Sequence, residues 1–178
     1  MKSKIRHFLV FACACSFASC AGIPKDATAV KPFDATRYLG KWYEIARFDF
    51  RFERNMDHTT ATYSLNENGT IRVENQGYDY VKKEWKKAVG VAKFAGDKTE
   101  ARLKVSFFGP FYSGYNVLAI DKDYKYALVT GGSTDYLWIL SREKTIPEDI
   151  RQNYLDIARN LGFEVGKLIW VEQGAPMP

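Results

Sequence analysis

Few side chains in this sequence can do chemistry. Its 178 residues hold three cysteines, Cys13, Cys15 and Cys20, and two histidines, His7 and His58. A zinc site needs three or four Cys, His or carboxylate ligands held together, and Ser-His or Cys-His catalysis needs an imidazole beside its nucleophile. Lys2, Lys4 and Arg6, followed by an apolar run from Phe8 to Phe17, read as a secretory leader. That run is too short to cross a bilayer, which takes a helix of roughly 20 residues. Loss of residues 1–19 removes His7, Cys13 and Cys15, leaving His58 and Cys20 as single residues of their kind. His58 reads as a loop residue ahead of a strand. No metal site, no cofactor and no catalytic residue is expected.

Cys20 has a chemistry of its own. A secreted chain with one thiol cannot close an internal disulfide, whereas a lipid anchor needs one thiol at the first mature residue. Phe17-Ala18-Ser19-Cys20 resembles the bacterial lipobox, with Phe17 where leucine is usual. The expectation is a lipidated Cys20 carrying two or three acyl chains, palmitate among them, each buried methylene adding about 0.8 kcal/mol to membrane anchoring. Ordinary cleavage to a soluble periplasmic protein with a spare cysteine is the alternative. Ala21 and Gly22 follow Cys20 where an Asp would retain many lipoproteins at the inner membrane, so the expected location is the cell envelope, lipid-anchored at the outer membrane. Residues 20–32 mix small residues, prolines and charge without periodicity and read as the lipidated tether.

Composition is that of an ordinary globular domain, 46% hydrophobic and 26% charged. Without the leader's three cations the balance is 23 basic to 21 acidic side chains, with no cluster, which argues against nucleic-acid binding.

From residue 41 short β-type runs alternate with turn signals. The predicted strands are 42–49, 59–65, 70–78, 84–94, 101–107, 115–121, 126–130 and 135–141. Asn66-Glu67-Asn68-Gly69 and Asp121-Lys122-Asp123-Tyr124 are tight turns, since Asn, Asp and Gly tolerate the required backbone angles. Short links join neighbouring strands, so the fold class is all-β: an eight-stranded up-and-down antiparallel barrel, wide enough for one small ligand. The period then changes to 3.6, with Ile150, Tyr154, Ile157, Ala158 and Leu161 on one face of a C-terminal α-helix. Thr145 and Glu148 are spaced as a capping box, Gly162 supplies the stop, and residues 167–172 form a ninth strand. The domain runs from 33 to 173, and 174–178 is a tail.

Gly40-Lys41-Trp42-Tyr43 and the distant Arg142 resemble the Gly-x-Trp and Arg signature of the lipocalins. Residues 42–48, 61–65, 105–111 and 136–142 together look like the bacterial outer-membrane lipoprotein lipocalins, relatives of apolipoprotein D, and the similarity covers roughly residues 33–173. It implies a lipocalin barrel in which Gly40, Trp42 and Arg142 are structural, the guanidinium lying over the indole at the closed end. The family's Thr-Asp-Tyr motif is altered to Ile120-Asp121-Lys122-Asp123-Tyr124. A literal Thr134-Asp135-Tyr136 falls in the next loop, at the opposite end, and is read as coincidence.

Strand alternation locates an inner face. With Arg142 inward, Leu140, Trp138 and Tyr136 share its side; from Trp42, Glu44, Ala46 and Phe48 point inward. The resemblance places Tyr63, Asn75, Tyr115 and Trp138 at ligand-lining positions. Two polar groups on apolar faces, Glu44 and Asn75, favour a cavity over a packed core, because burying either without a partner costs roughly 1 to 3 kcal/mol. Arg47, Arg51 and Arg54 surround Phe48, Phe50 and Phe52 and suggest a basic rim for an anionic headgroup. The function expected is non-enzymatic: binding, and transport or storage, of a fatty acid, lysophospholipid or similar amphiphile at the membrane, with homodimerisation left open. A sterol, haem, pigment or antibiotic carrier, and a lipocalin-type enzyme, are the alternatives.

Overall fold

The structure is a computed structural model that describes residues 22–174. The leader, Cys20 and residues 175–178 lie outside the described residues. Eight antiparallel strands follow one another: β1 (Gly40–Arg47), β2 (Met56–Leu65), β3 (Ile71–Asp79), β4 (Glu84–Phe94), β5 (Arg102–Phe108), β6 (Phe111–Ile120), β7 (Tyr126–Thr130) and β8 (Leu137–Ser141). Each pairs with the next in sequence, and β1 pairs with both β8 and β2, which closes the barrel. The expected turn at Asn66 forms as read: Gly69 takes φ +77°, Asn66 N–H donates to Thr70 O at 2.8 Å, and the Asn68 side chain accepts from Thr70 N–H.

Two apolar cores result. Inside the barrel, toward the end where β1 begins, Trp42 packs with Tyr38, Tyr63, Val73, Leu103, Val117 and Leu140. Outside it, α2 (Glu148–Asn160) buries Tyr154, Leu155 and Ala158 against Ile45, Leu128, Leu137 and Ile139. Each large aliphatic side chain so buried contributes roughly 1.5 to 3 kcal/mol. Gly162 ends the helix at φ +83°.

Four local readings are corrected. The capping box does not form: Pro147 is the N-cap and makes no side-chain cap bond, and Glu148 and Asp149 instead face the partial positive charge of the first turn. The ninth strand is only β9 (Ile169–Trp170), because it pairs with β1 at Ala46 and Arg47 alone. A one-turn helix, α1 (Ala35–Tyr38), precedes β1, capped by the Asp34 carboxylate. The fourth correction is a register shift between Glu44 and Ala46 in β1. An extra residue there reverses the alternation, since a bulge puts two residues opposite one. Ala46 and Phe48 therefore face α2, with the Phe48 ring 6.4 Å from Phe163, and Arg47 turns onto the Glu44 side.

The described residues 22–33 are bonded to the barrel. Val30 N–H donates to Val117 O at 2.9 Å, Ala101 N–H to Val30 O at 2.9 Å, and Phe33 N–H to Thr99 O at 2.8 Å. Pro24 and Ala27 are buried in this segment.

Candidate functional site

The closed end is built around one stacked pair. Arg142 lies 3.9 Å above the Trp42 ring and donates to the carbonyls of Lys41, Arg37, Tyr38, Leu39 and Tyr124. The indole N–H donates to Tyr38 O at 2.8 Å. At Gly40, φ is +93° and a Cβ would stand 3.3 Å from an Arg142 nitrogen, so a side chain there is strained and crowded. The altered turn still serves this end: the Asp121 carboxylate accepts from the N–H groups of Asp123, Lys125 and Tyr126, and Tyr124 accepts from Asp34 N–H.

Above that floor the interior is open, a cavity of about 840 Å³. Its lining includes Tyr63, Asn75, Tyr115, Trp138, Leu140, Tyr136 and Glu44, the seven positions named from parity and resemblance. Its deep part is apolar: Ile71, Val73, Ala92, Leu103 and Leu140. Three tyrosine hydroxyls meet there, Tyr115 lying 2.6 Å from Tyr38 and 2.8 Å from Tyr63. Burial pushes all three phenols above their ordinary range, so they stay protonated.

Polar groups gather nearer the mouth. Glu44 accepts from Arg47 Nη1 at 2.8 Å and from Thr59 Oγ1 at 2.9 Å, while Arg47 also donates to Glu53 O and Met56 O. The pair is almost fully buried, with side-chain exposures of 2% and 8%. This corrects two expectations: Glu44 is satisfied within the protein, and Arg47 is a buried partner rather than a rim cation. Burial pushes Glu44 upward, opposed by Arg47 and Thr59. Glu53, in the loop after β1, accepts the Trp138 indole N–H at 3.1 Å. Its carboxyl is pushed up to about 8, by burial first and by the neighbouring Glu44 second. Asn75 Oδ1 is buried without a hydrogen-bond partner on the protein.

At the rim, Arg54 pairs with Asp49 at 3.0 Å and Arg51 stacks 4.4 Å over Phe52. Neither lines the cavity. Sequence reading missed Glu53, Thr59 and Tyr38. Glu53 sits in an irregular turn with no period to read, and Tyr38 precedes the first strand; Thr59 lay in a predicted strand, but nothing in it singled out the buried hydroxyl.

An eight-stranded calyx, closed at one end by the Trp42–Arg142 stack and hollow above it, defines a small-ligand-binding protein, and the chain belongs to the lipocalin family. The family model, a lipocalin-like domain, matches residues 33–173. The chain is similar to the outer membrane lipoprotein Blc of Citrobacter freundii, 57% identical and covering 93% of this chain and 91% of that one. The Blc of Vibrio cholerae is 42% identical over 95% of this chain and 99% of its own. Apolipoprotein D of Cavia porcellus is 33% identical over 79% and 77%. Among solved structures, insecticyanin from Manduca sexta shares the fold with a TM-score of 0.69 at 22% identity, covering 85% of this chain and 86% of that one. The likeness to the outer membrane lipoproteins runs over nearly the whole chain. The protein is a ligand-binding lipoprotein of the outer membrane.

Proposed function

We propose that the protein binds single-chain amphiphiles, fatty acids or lysophospholipids, and stores or moves them at the outer membrane, to which a lipidated Cys20 holds it. The observation that carries this reading is the division of the cavity into two zones. Burial of an acyl chain against Ile71, Val73, Leu103 and Leu140 supplies the driving force, at about 25 cal/mol per Å² before ordering losses. A volume of about 840 Å³ falls within the ~300 to 1,000 Å³ typical of small-ligand sites. The headgroup then sits nearer the mouth, where protonated Glu53 offers an O–H and Asn75 offers an unsatisfied oxygen. A lysophospholipid glycerol hydroxyl can donate to Asn75, and a carboxylate or phosphate can accept from Glu53. No step of this function requires bond making or breaking.

The test is native mass spectrometry of the domain starting after Cys20, followed by lipid analysis of whatever denaturation releases. A co-purified fatty acid or lysophospholipid, lost in Trp138→Glu while the variant stays folded, is the expected result. Full affinity in Trp138→Glu would place the ligand outside the calyx. An empty barrel that also rejects fluorescent lipids would end the carrier reading, and visible absorbance would point to a pigment instead.

A further inference from the structure

Toward the closed end of the cavity three phenols meet from three separate elements. Tyr38 ends α1, Tyr63 stands in β2 and Tyr115 in β6. In the strand order β2 and β6 are four places apart, half the circumference of an eight-stranded barrel, so Tyr63 and Tyr115 reach each other across the interior. Their oxygens lie 2.8 Å apart, and the Tyr38 oxygen lies 2.6 Å from that of Tyr115. The cluster is fixed from below. The Tyr38 ring is 4.8 Å from that of Trp42 and 5.4 Å from those of Phe33 and Tyr63, while the Tyr38 carbonyl accepts from the Trp42 indole and from Arg142. Tyr38 and Tyr63 are buried, and all three tyrosines line the cavity.

A proton count shows what this cluster lacks. Each phenol brings one O–H, and burial keeps all three protonated. The two contacts between them use at most two of the three protons. Among the described residues no other group bonds to any of the three oxygens. At least one O–H is therefore left over: on Tyr115 when both neighbours donate to it, on Tyr38 or Tyr63 when the bonds run head to tail. The oxygens also keep lone pairs that can accept. Ile71, Val73 and Leu103 pack in the same core, where three phenylalanines would fill the floor without the cost of an unpaired buried donor. The site carries no charge. Arg142, beneath it, is committed to five carbonyls and does not line the cavity, so an anion would stay uncompensated there, whereas a neutral hydroxyl or carbonyl would be satisfied.

We infer that the floor of the calyx recognises an oxygen at the far end of its cargo: the ligand is an acyl chain oxygenated near its terminus, a hydroxy or oxo fatty acid or the corresponding lysophospholipid, whose tip bonds to the Tyr38, Tyr115 and Tyr63 hydroxyls. This rests on the carrier reading above and names the cargo more narrowly. A hydroxyl fits best, because its oxygen accepts the spare O–H and its own proton goes to a phenol oxygen. A saturated tip leaves that O–H unpaired. Apolar burial along the chain then supplies affinity common to all acyl ligands, and the tyrosine floor supplies the discrimination between them.

The experiment titrates the protein, freed of bound lipid, with three fatty acids by calorimetry: heptadecanoate, 16-hydroxyhexadecanoate, which has the same number of heavy atoms, and 8-hydroxyhexadecanoate. The 16-hydroxy acid should bind at least as tightly as heptadecanoate, and the 8-hydroxy acid about tenfold or more weakly, since a mid-chain hydroxyl meets only apolar wall. In Tyr38→Phe/Tyr63→Phe/Tyr115→Phe, which keeps the rings and removes the hydroxyls, heptadecanoate affinity should stay within about twofold while that of the 16-hydroxy acid falls about tenfold. If the variant does not fold, the comparison of hydroxyl positions in the parent protein decides alone. Heptadecanoate binding with the 16-hydroxy acid penalised as much as the 8-hydroxy acid overturns the inference and leaves the carrier reading standing. Equal affinity for the two hydroxyl positions overturns it as well. A fall of heptadecanoate itself in the variant would mean that the carboxyl end rests on the tyrosines, which also overturns it. Binding of none of the three acids would remove the carrier reading and this inference together.

Discussion

The Trp138 indole N–H donates to Glu53 across 3.1 Å, tying the loop after β1 to the inner face of β8 some 85 residues later. That bond places a carboxyl in a buried site beside Glu44, and its proton affinity rises to about 8. A carboxyl whose folded value exceeds its unfolded value of 4.5 is protonated in the native state while the unfolded chain has already released its proton. Its stabilising contribution is complete below about pH 4.5 and is lost as the pH rises through about 8. Stability in urea should therefore decline from pH 5 to pH 9 by up to about 4 kcal/mol, as a shift of one pK unit is worth about 1.36 kcal/mol. Glu53→Gln should flatten that profile, and an unchanged slope in the variant would show that Glu53 is not the group responsible.

The same carboxyl governs cargo in the proposed function. A fatty acid is ionised throughout the neutral and alkaline range, so deprotonation of Glu53 replaces a donated hydrogen bond with a repulsion. Affinity for a fatty acid should fall several-fold between pH 7 and pH 9, and Glu53→Gln should abolish most of that change. Titration with a fluorescent fatty acid at three pH values measures it. A neutral monoacylglycerol should show the smaller dependence.

Arg47 and Glu44 form a buried pair 2.8 Å apart. Removing one member of such a pair leaves an uncompensated charge in low dielectric, at a cost of about 3 to 5 kcal/mol, whereas replacing both by neutral groups is often close to neutral. Arg47→Met should lower the urea midpoint steeply, and Glu44→Gln/Arg47→Met should recover most of the loss. If the double variant is as unstable as the single one, the pair is held by its other contacts, Thr59 and the carbonyls of Glu53 and Met56.

The placement of Arg47 also marks how far the sequence could be read. Eight strands, their order, the helix and the closed end follow from period-2 runs, short turns and a Gly-x-Trp and Arg pair, because those signals are local or carried by the family resemblance. Parity put Trp138 and Leu140 on the inner face of β8, which is regular from Leu137 to Ser141, while Tyr136 lines the cavity from the loop before that strand. It failed in β1, where a single inserted residue moves Arg47 in and Ala46 and Phe48 out. A bulge has no signature in the alternation it interrupts. Glu53 and the bonded path of residues 22–33 escaped for a related reason: both depend on contacts with strands distant in sequence, and neither segment has a period.

Arg142 offers the clearest separation of folding from binding. Its guanidinium serves five carbonyls and covers the Trp42 ring, yet it does not line the cavity. Hydrogen bonds from a charged donor contribute about 1.5 to 3 kcal/mol, and the cation–π contact about 0.5 to 2 kcal/mol. Lysine keeps the charge but cannot reach several carbonyls at once with a planar fork. Arg142→Lys should therefore lower stability by on the order of 2 kcal/mol and Arg142→Ala by more, while lipid affinity at a temperature where both remain folded stays within twofold of the parent. Denaturation and ligand titration on the same samples decide the point: a binding loss larger than the stability loss would mean that the closed end shapes the cavity as well as sealing it.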